Sequence, residues 1–153
     1  MERFEDSPAW QKARVLHRDV FQASRRQPMA SDFDYCRQIR RASLSIMNNI
    51  AEGFERYRLG EIHQFLSIAK GSAAEVRSML YAGLDVGHLD DDRFQALMRA
   101  VMDVTRLVAA WRSSVQREMR DGKTLRETGF MWDAGYDLAF ESEHEIPELA
   151  HQD

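Results

Sequence analysis

A chain of 153 residues, 44% of them hydrophobic and 30% charged, can bury one sizeable core, and its length argues for a single globular unit. Three prolines and eight glycines in a chain rich in Ala, Leu, Met, Arg and Glu favour helix over strand. The lone Cys36 excludes an internal disulfide, no apolar run nears the roughly 20 residues of a membrane span, and MERFEDSPAW lacks a signal-peptide pattern, so the expectation is a soluble chain in a reducing cytoplasm.

Ser7 before Pro8 reads as a helix start, with serine as cap and proline in the first helical position. Trp10, Ala13, Leu16, Val20, Phe21 and Ser24 then recur at helical steps until Pro28. A second start at Ser31 or Asp32 opens the stripe Phe33, Cys36, Ile39, Ser43, Ile46, Met47, Ile50 and Phe54, ending near Arg56. After Tyr57 to Gly60 a third stripe runs through Ile62, Phe65, Leu66, Ala69, Ala73, Val76, Met79, Leu80 and Gly83, and Gly87 ends it. Asp90, Asp91 and Asp92 suit the positive end of a helix dipole, and Phe94, Leu97, Met98, Val101, Val104, Val108, Trp111 and Val115 carry a fourth helix to about Arg120. Four amphipathic helices with short connections predict an all-α fold, an antiparallel up-down-up-down four-helix bundle over residues 1–120. Residues 121–153 read as an acidic C-terminal tail with Phe130, Trp132, Tyr136, Leu138 and Phe140 between its acids, a pattern of flexible segments that fold against something, the alternative being a disordered end or one packed on its own bundle.

The formal net charge of −4 is unevenly spread. All 21 Lys and Arg lie at or before Arg126, against 17 acids, whereas residues 127–153 hold eight acids and no base. A body at +4 attracts phosphate modestly, and a tail at −8 opposes it.

No phosphate-cradling glycine loop, paired cysteines or nucleophile-base spacing stands out. Glu-x-x-His pairs at Glu141/His144 and Glu148/His151 fall in the tail, not on facing bundle helices as a di-iron centre needs, and His17, His63 and His88 lack a glutamate three residues earlier. No metal or cofactor is therefore expected. The informative polar residues are Arg41, Ser45, Asn48, Asn49 and Glu52 on the second helix and Lys70, Ser72 and Glu75 on the third, with Gly71 and Ser72 small enough for close approach. A structural network of Arg41, Asn49, Glu52, Ser72 and Glu75, in the core or at a subunit interface, is expected over a catalytic one.

The segments Arg40-Arg41-Ala42-Ser43-Leu44-Ser45-Ile46, Asn49-Ile50-Ala51-Glu52-Gly53-Phe54 and Phe65-Leu66-Ser67-Ile68-Ala69-Lys70-Gly71-Ser72 with Glu75, preceded by Phe4-Glu5-Asp6, Trp10, Lys12 and Ala13, resemble a four-helix-bundle family of proteins encoded in ribosomal RNA intervening sequences. The resemblance runs from residue 4 to about 117. That family is similar to the accessory variability proteins of diversity-generating retroelements, which implies a barrel-shaped homopentamer that binds nucleic acid and a reverse transcriptase. Two features depart from the family pattern: Met47-Asn48 stands where small residues or proline are commoner, and the acidic aromatic tail has no counterpart.

The reading preferred is a non-enzymatic homo-oligomeric adaptor for RNA or DNA, a nucleic-acid enzyme such as a reverse transcriptase, or both. Arg14, Arg18, Arg25, Arg26, Arg37, Arg40, Arg56 and Arg58 are its phosphate candidates, since the arginine fork matches phosphate oxygens. Its rivals are a structural or regulatory oligomer that binds a protein through the acidic tail, and a bundle that houses a small-molecule or metal enzyme.

Overall fold

The computed structural model describes residues 3–123. They form α1 (Pro8–Ala23), α2 (Phe33–Phe54), α3 (Leu59–Asp85) and α4 (Asp91–Arg120), with 3-10 turns at Phe4–Asp6 and Met29–Ser31 and no strand. Short connections force each helix to run antiparallel to its predecessor. α1 packs on α2 and α4, α2 on α3, and α3 on α4, which closes the square of a four-helix bundle. The tail from residue 124 on, with its Glu-x-x-His pairs and aromatic residues, lies outside the described residues.

The helix ends follow from local chemistry. Asp32 and Asp90 cap α2 and α4 by accepting the amide protons of Tyr35 (3.0 Å) and Arg93 (2.8 Å). Ser7 does not cap α1: its side chain makes no cap bond, and Pro8 in the first turn sets the start instead. α3 and α4 close on Gly87 (φ 79°) and Gly122 (φ 68°). There the amides of His88 and Lys123 reach back to the carbonyls of Gly83 (2.8 Å) and Glu118 (3.1 Å), a turn that needs a left-handed residue.

Leu16, Val20, Ile39, Ile46, Ile50, Leu66, Val76, Leu80, Val101, Val104 and Val108 are fully enclosed. Each large aliphatic side chain so buried contributes about 1.5–3 kcal/mol. Two stripe members depart from expectation. Phe33, the first residue of α2, is 80% exposed, and Phe21 is 41% exposed because it sits one residue, about 100° of helical turn, past the buried Val20. Met29 and Leu89, from the connections between helices, fill the end of the core instead. Gly83 is the tight point there: a Cβ on it would crowd the Tyr35 hydroxyl and lie 3.1 Å from Tyr35 Cζ and 3.3 Å from Leu89 Cδ1.

Candidate nucleic-acid interface

α1 and α2 carry the arginines singled out above, and the structure sorts them by what else they hold. Arg18 pairs with Asp19 (3.0 Å), Arg37 with Asp34, and Arg56 with Glu52 (3.0 Å) while lying 4.9 Å over the Phe65 ring. Arg14, Arg25, Arg26, Arg40 and Arg58 have no carboxylate partner among the described residues. Arg14 lies 5.7 Å from the Trp10 ring centre. Arg26 borders a shallow cleft of about 200 Å³ between α1 and α4, with Asp19, Gln22, Arg93 and an apolar floor of Ala23, Ala96 and Leu97. Arg25 and Arg58 are exposed in connections at opposite ends of the bundle.

Arg40 differs from the rest because it is half-buried and tied down. Its Nε donates to Ser24 Oγ (2.6 Å), and its guanidinium lies 4.3 Å over the Phe21 ring. Beside it His17 Nδ1 and Ser43 Oγ are 2.8 Å apart. Burial, and then the Arg40 charge, hold His17 below its ordinary value, so the ring is neutral near pH 7. Sequence reasoning weighs His17 only as a metal ligand and puts Phe21 on the core stripe, and so misses both. The signal was present in the steps of four from His17 to Phe21 and of three from Arg40 to Ser43, but only the fold shows that these two pairs face each other. Tyr57, 89% exposed between Arg56 and Arg58, is a further aromatic that no stripe could flag.

The expected polar network forms in part. Ser45 Oγ and Ser72 Oγ are 2.8 Å apart across α2 and α3, and Asn49 Nδ2 donates to the Ser45 carbonyl (2.8 Å) and hydroxyl (3.1 Å). Arg41, Glu52 and Glu75 stay outside it, exposed on the outer faces of their helices, and Glu52 is occupied by Arg56. Gly71 does not provide the close approach expected of it, since a Cβ there would meet nothing within 4 Å. The close approach of α2 to α3 is at Gly53, where a Cβ would lie 3.3 Å from Phe65 Cβ.

Among the described residues no group of three or more His, Cys, Asp and Glu is placed to share a metal ion, and no helix is long and apolar enough to cross a membrane. The model of the 23S rRNA-intervening sequence protein family matches residues 5–110, from the first 3-10 turn into α4. The chain belongs to that family. Within it, the segments around Arg40, Ser43, Asn49 and Ser72 are the ones that line the α1–α2 groove and the α2–α3 seam. The match stops inside α4, ahead of the acidic tail. No curated protein matches the chain.

Proposed function

We propose that this protein is a non-enzymatic, homo-oligomeric adaptor that binds nucleic acid along its α1–α2 hairpin. The observation that carries the reading is a division of charge between the two hairpins. Residues 8–58 hold ten Lys and Arg against five Asp and Glu, a net of +5, whereas residues 59–123 hold nine of each. Of the excess, Arg14, Arg25, Arg26, Arg40 and Arg58 have no carboxylate neighbour among the described residues, which supports a field available to phosphate. Membership of the 23S rRNA-intervening sequence protein family supports RNA as the first ligand to try. The likeness of that family to retroelement accessory proteins supports a homopentamer and a reverse transcriptase as a protein partner.

The test is affinity for single-stranded and duplex RNA and DNA across a salt series, with the oligomeric mass measured by light scattering under the same conditions. Four or five phosphate contacts on a single strand give a log-log salt slope of about −3 per subunit. Absence of binding by every nucleic acid sinks the reading, and a monomeric mass at micromolar concentration removes the ring. Capture of a protein partner that disappears on deleting residues 127–153, with no nucleic-acid affinity, favours the tail-mediated regulatory oligomer instead.

A further inference from the structure

The α1–α2 groove holds a histidine and an arginine whose placement an overall charge excess does not require. Each is positioned by its own buried serine. Ser43, 0% exposed, donates its hydroxyl proton to the Arg40 carbonyl (3.0 Å), so its lone pairs accept the Nδ1 proton of His17 (2.8 Å). With the Ser43 proton on that carbonyl, His17 carries its own proton on Nδ1 and Nε2 is the free ring nitrogen. Ser24, 1% exposed, donates to the Phe21 carbonyl (2.6 Å) and accepts the Nε proton of Arg40 (2.6 Å). The guanidinium is thereby held 4.3 Å over the Phe21 ring, and the His17 ring stands edge-on to the same phenylalanine at 6.3 Å. Among the described residues the two Nη groups of Arg40 bond to nothing, and no acid pairs with it.

We propose that this groove is a phosphate seat, in which one phosphodiester of a nucleic acid is held by the Arg40 Nη donors and by His17 Nε2 in its protonated form. The proposal rests on the nucleic-acid reading above and gives it a specific locus. A guanidinium already oriented by a serine and an aromatic ring loses little further freedom on binding. Its charge, unmatched by a carboxylate and half-removed from water, gains most from an anion. The serines are spent on positioning, since their hydroxyl protons go to backbone carbonyls.

Neutral His17 would turn an Nε2 lone pair toward a phosphate oxygen, so binding takes up one proton from solvent. The charge that lowers His17 is Arg40 on α2, and Arg14 and Arg18 stand within a turn of it on α1. Arg40 and burial keep the ring unprotonated in the free protein, and a bound phosphate reverses that balance. Affinity therefore rises as pH falls from about 7.5 to about 6, by at most about tenfold per pH unit for one coupled proton.

The experiment uses the full chain with imidazole-¹⁵N histidine, titrated with a short single-stranded RNA and, separately, with inorganic phosphate. The expected result is that RNA moves His17 Nε2 to the imidazolium pattern, with RNA affinity rising on acidification. His17→Gln flattens that pH dependence. Arg40→Lys, which keeps the charge and loses the fork, weakens RNA binding roughly tenfold. Arg99→Ala removes a whole unit charge from an exposed site on α4 and still costs much less. Melting curves confirm that each variant is folded, and the ¹⁵N titration of unsubstituted protein stands even if one is not. RNA binding that leaves His17 unmoved and the variants unaffected overturns this seat while the nucleic-acid reading survives. A response to inorganic phosphate alone, with RNA not bound, overturns both, as does silence in every arm.

Discussion

The α1–α2 and α3–α4 hairpins each bring a histidine, a serine and an arginine together, and they use them differently. In the first, Ser43 meets His17 Nδ1 and Ser24 accepts from Arg40 Nε, which leaves an Nε2 and two Nη groups without a partner among the described residues. In the second, Ser67 donates to the His63 carbonyl one turn back (2.7 Å) and accepts from Arg112 Nε (2.8 Å), while His63 Nε2 is enclosed without a hydrogen-bond partner. The residue types are the same; what differs is which atoms remain open, and the charge around them. The first hairpin carries a net of +5 and the second is neutral. A His-Ser-Arg cluster becomes a candidate binding site only where burial stops short of its donors and an uncompensated field surrounds it.

The largest effect is expected on the neutral hairpin. Tyr35 reaches from α2 to donate its hydroxyl proton to the Met79 carbonyl on α3, and burial pushes its ionisation up to about 12, so it remains a donor at any working pH. Valine at Gly83 would drive the phenol out of this position. Gly83→Val should cost about 2–4 kcal/mol from overpacking and the lost hydrogen bond, lowering the melting temperature by on the order of 10 °C. Nucleic-acid affinity of the protein still folded at low temperature should hardly change, since the groove lies on α1 and α2. Equal loss of stability and affinity would break the division of labour between the hairpins.

A smaller effect separates the two histidines. Both lie below their ordinary value, His17 through burial and then Arg40, His63 through burial and then Arg112. A histidine depressed in the folded state binds its proton more readily once unfolded. Its contribution to stability is therefore present above the unfolded value near 6.5 and is lost as pH falls from there through the folded value. Melting temperature should fall between about pH 7 and 5, and His17→Gln and His63→Gln should each remove part of the slope. Added RNA should offset the acid loss through His17 only. An offset that survives His17→Gln would place the linked proton elsewhere.

Much of this fold is legible in the sequence, because helix period, Pro8, Asp32, Asp90, Gly87 and Gly122 act locally, each within a turn or two of chain. What escaped are features set by the pairing of helices. Phe21 reads as core because steps of three and four blur a 100° turn, and Gly71 reads as the close approach that the fold puts at Gly53. Of the eight arginines, none could be ranked beforehand, since whether a guanidinium is paired depends on the acid one turn away and on the helix opposite. Arg40 stands out only once Ser24 and Phe21 are seen across the groove.

The smallest effect is expected at Glu75, where the sequence pointed to a buried charged network. In the folded chain Glu75 is exposed on α3, with no hydrogen bond or ion pair among the described residues, and Arg41 is likewise exposed on α2. An exposed mid-helix glutamate contributes little, and alanine is the better helix former, so Glu75→Ala should change stability by less than about 0.5 kcal/mol. That expectation holds for a single bundle. If copies of the chain assemble through the outer face of α2 and α3, Glu75 is enclosed between them, and removing it leaves an opposing charge unpaired at a cost of about 3–5 kcal/mol. Such a loss would also depend on protein concentration, because the contact exists only in the assembly. Melting Glu75→Ala and unsubstituted protein over a hundredfold range of concentration therefore reads the two situations apart. Matching curves throughout keep Glu75 on a free surface of α3, whereas a gap in melting temperature that changes with dilution moves it to a subunit interface and extends the polar seam of Ser45, Asn49 and Ser72 across two copies.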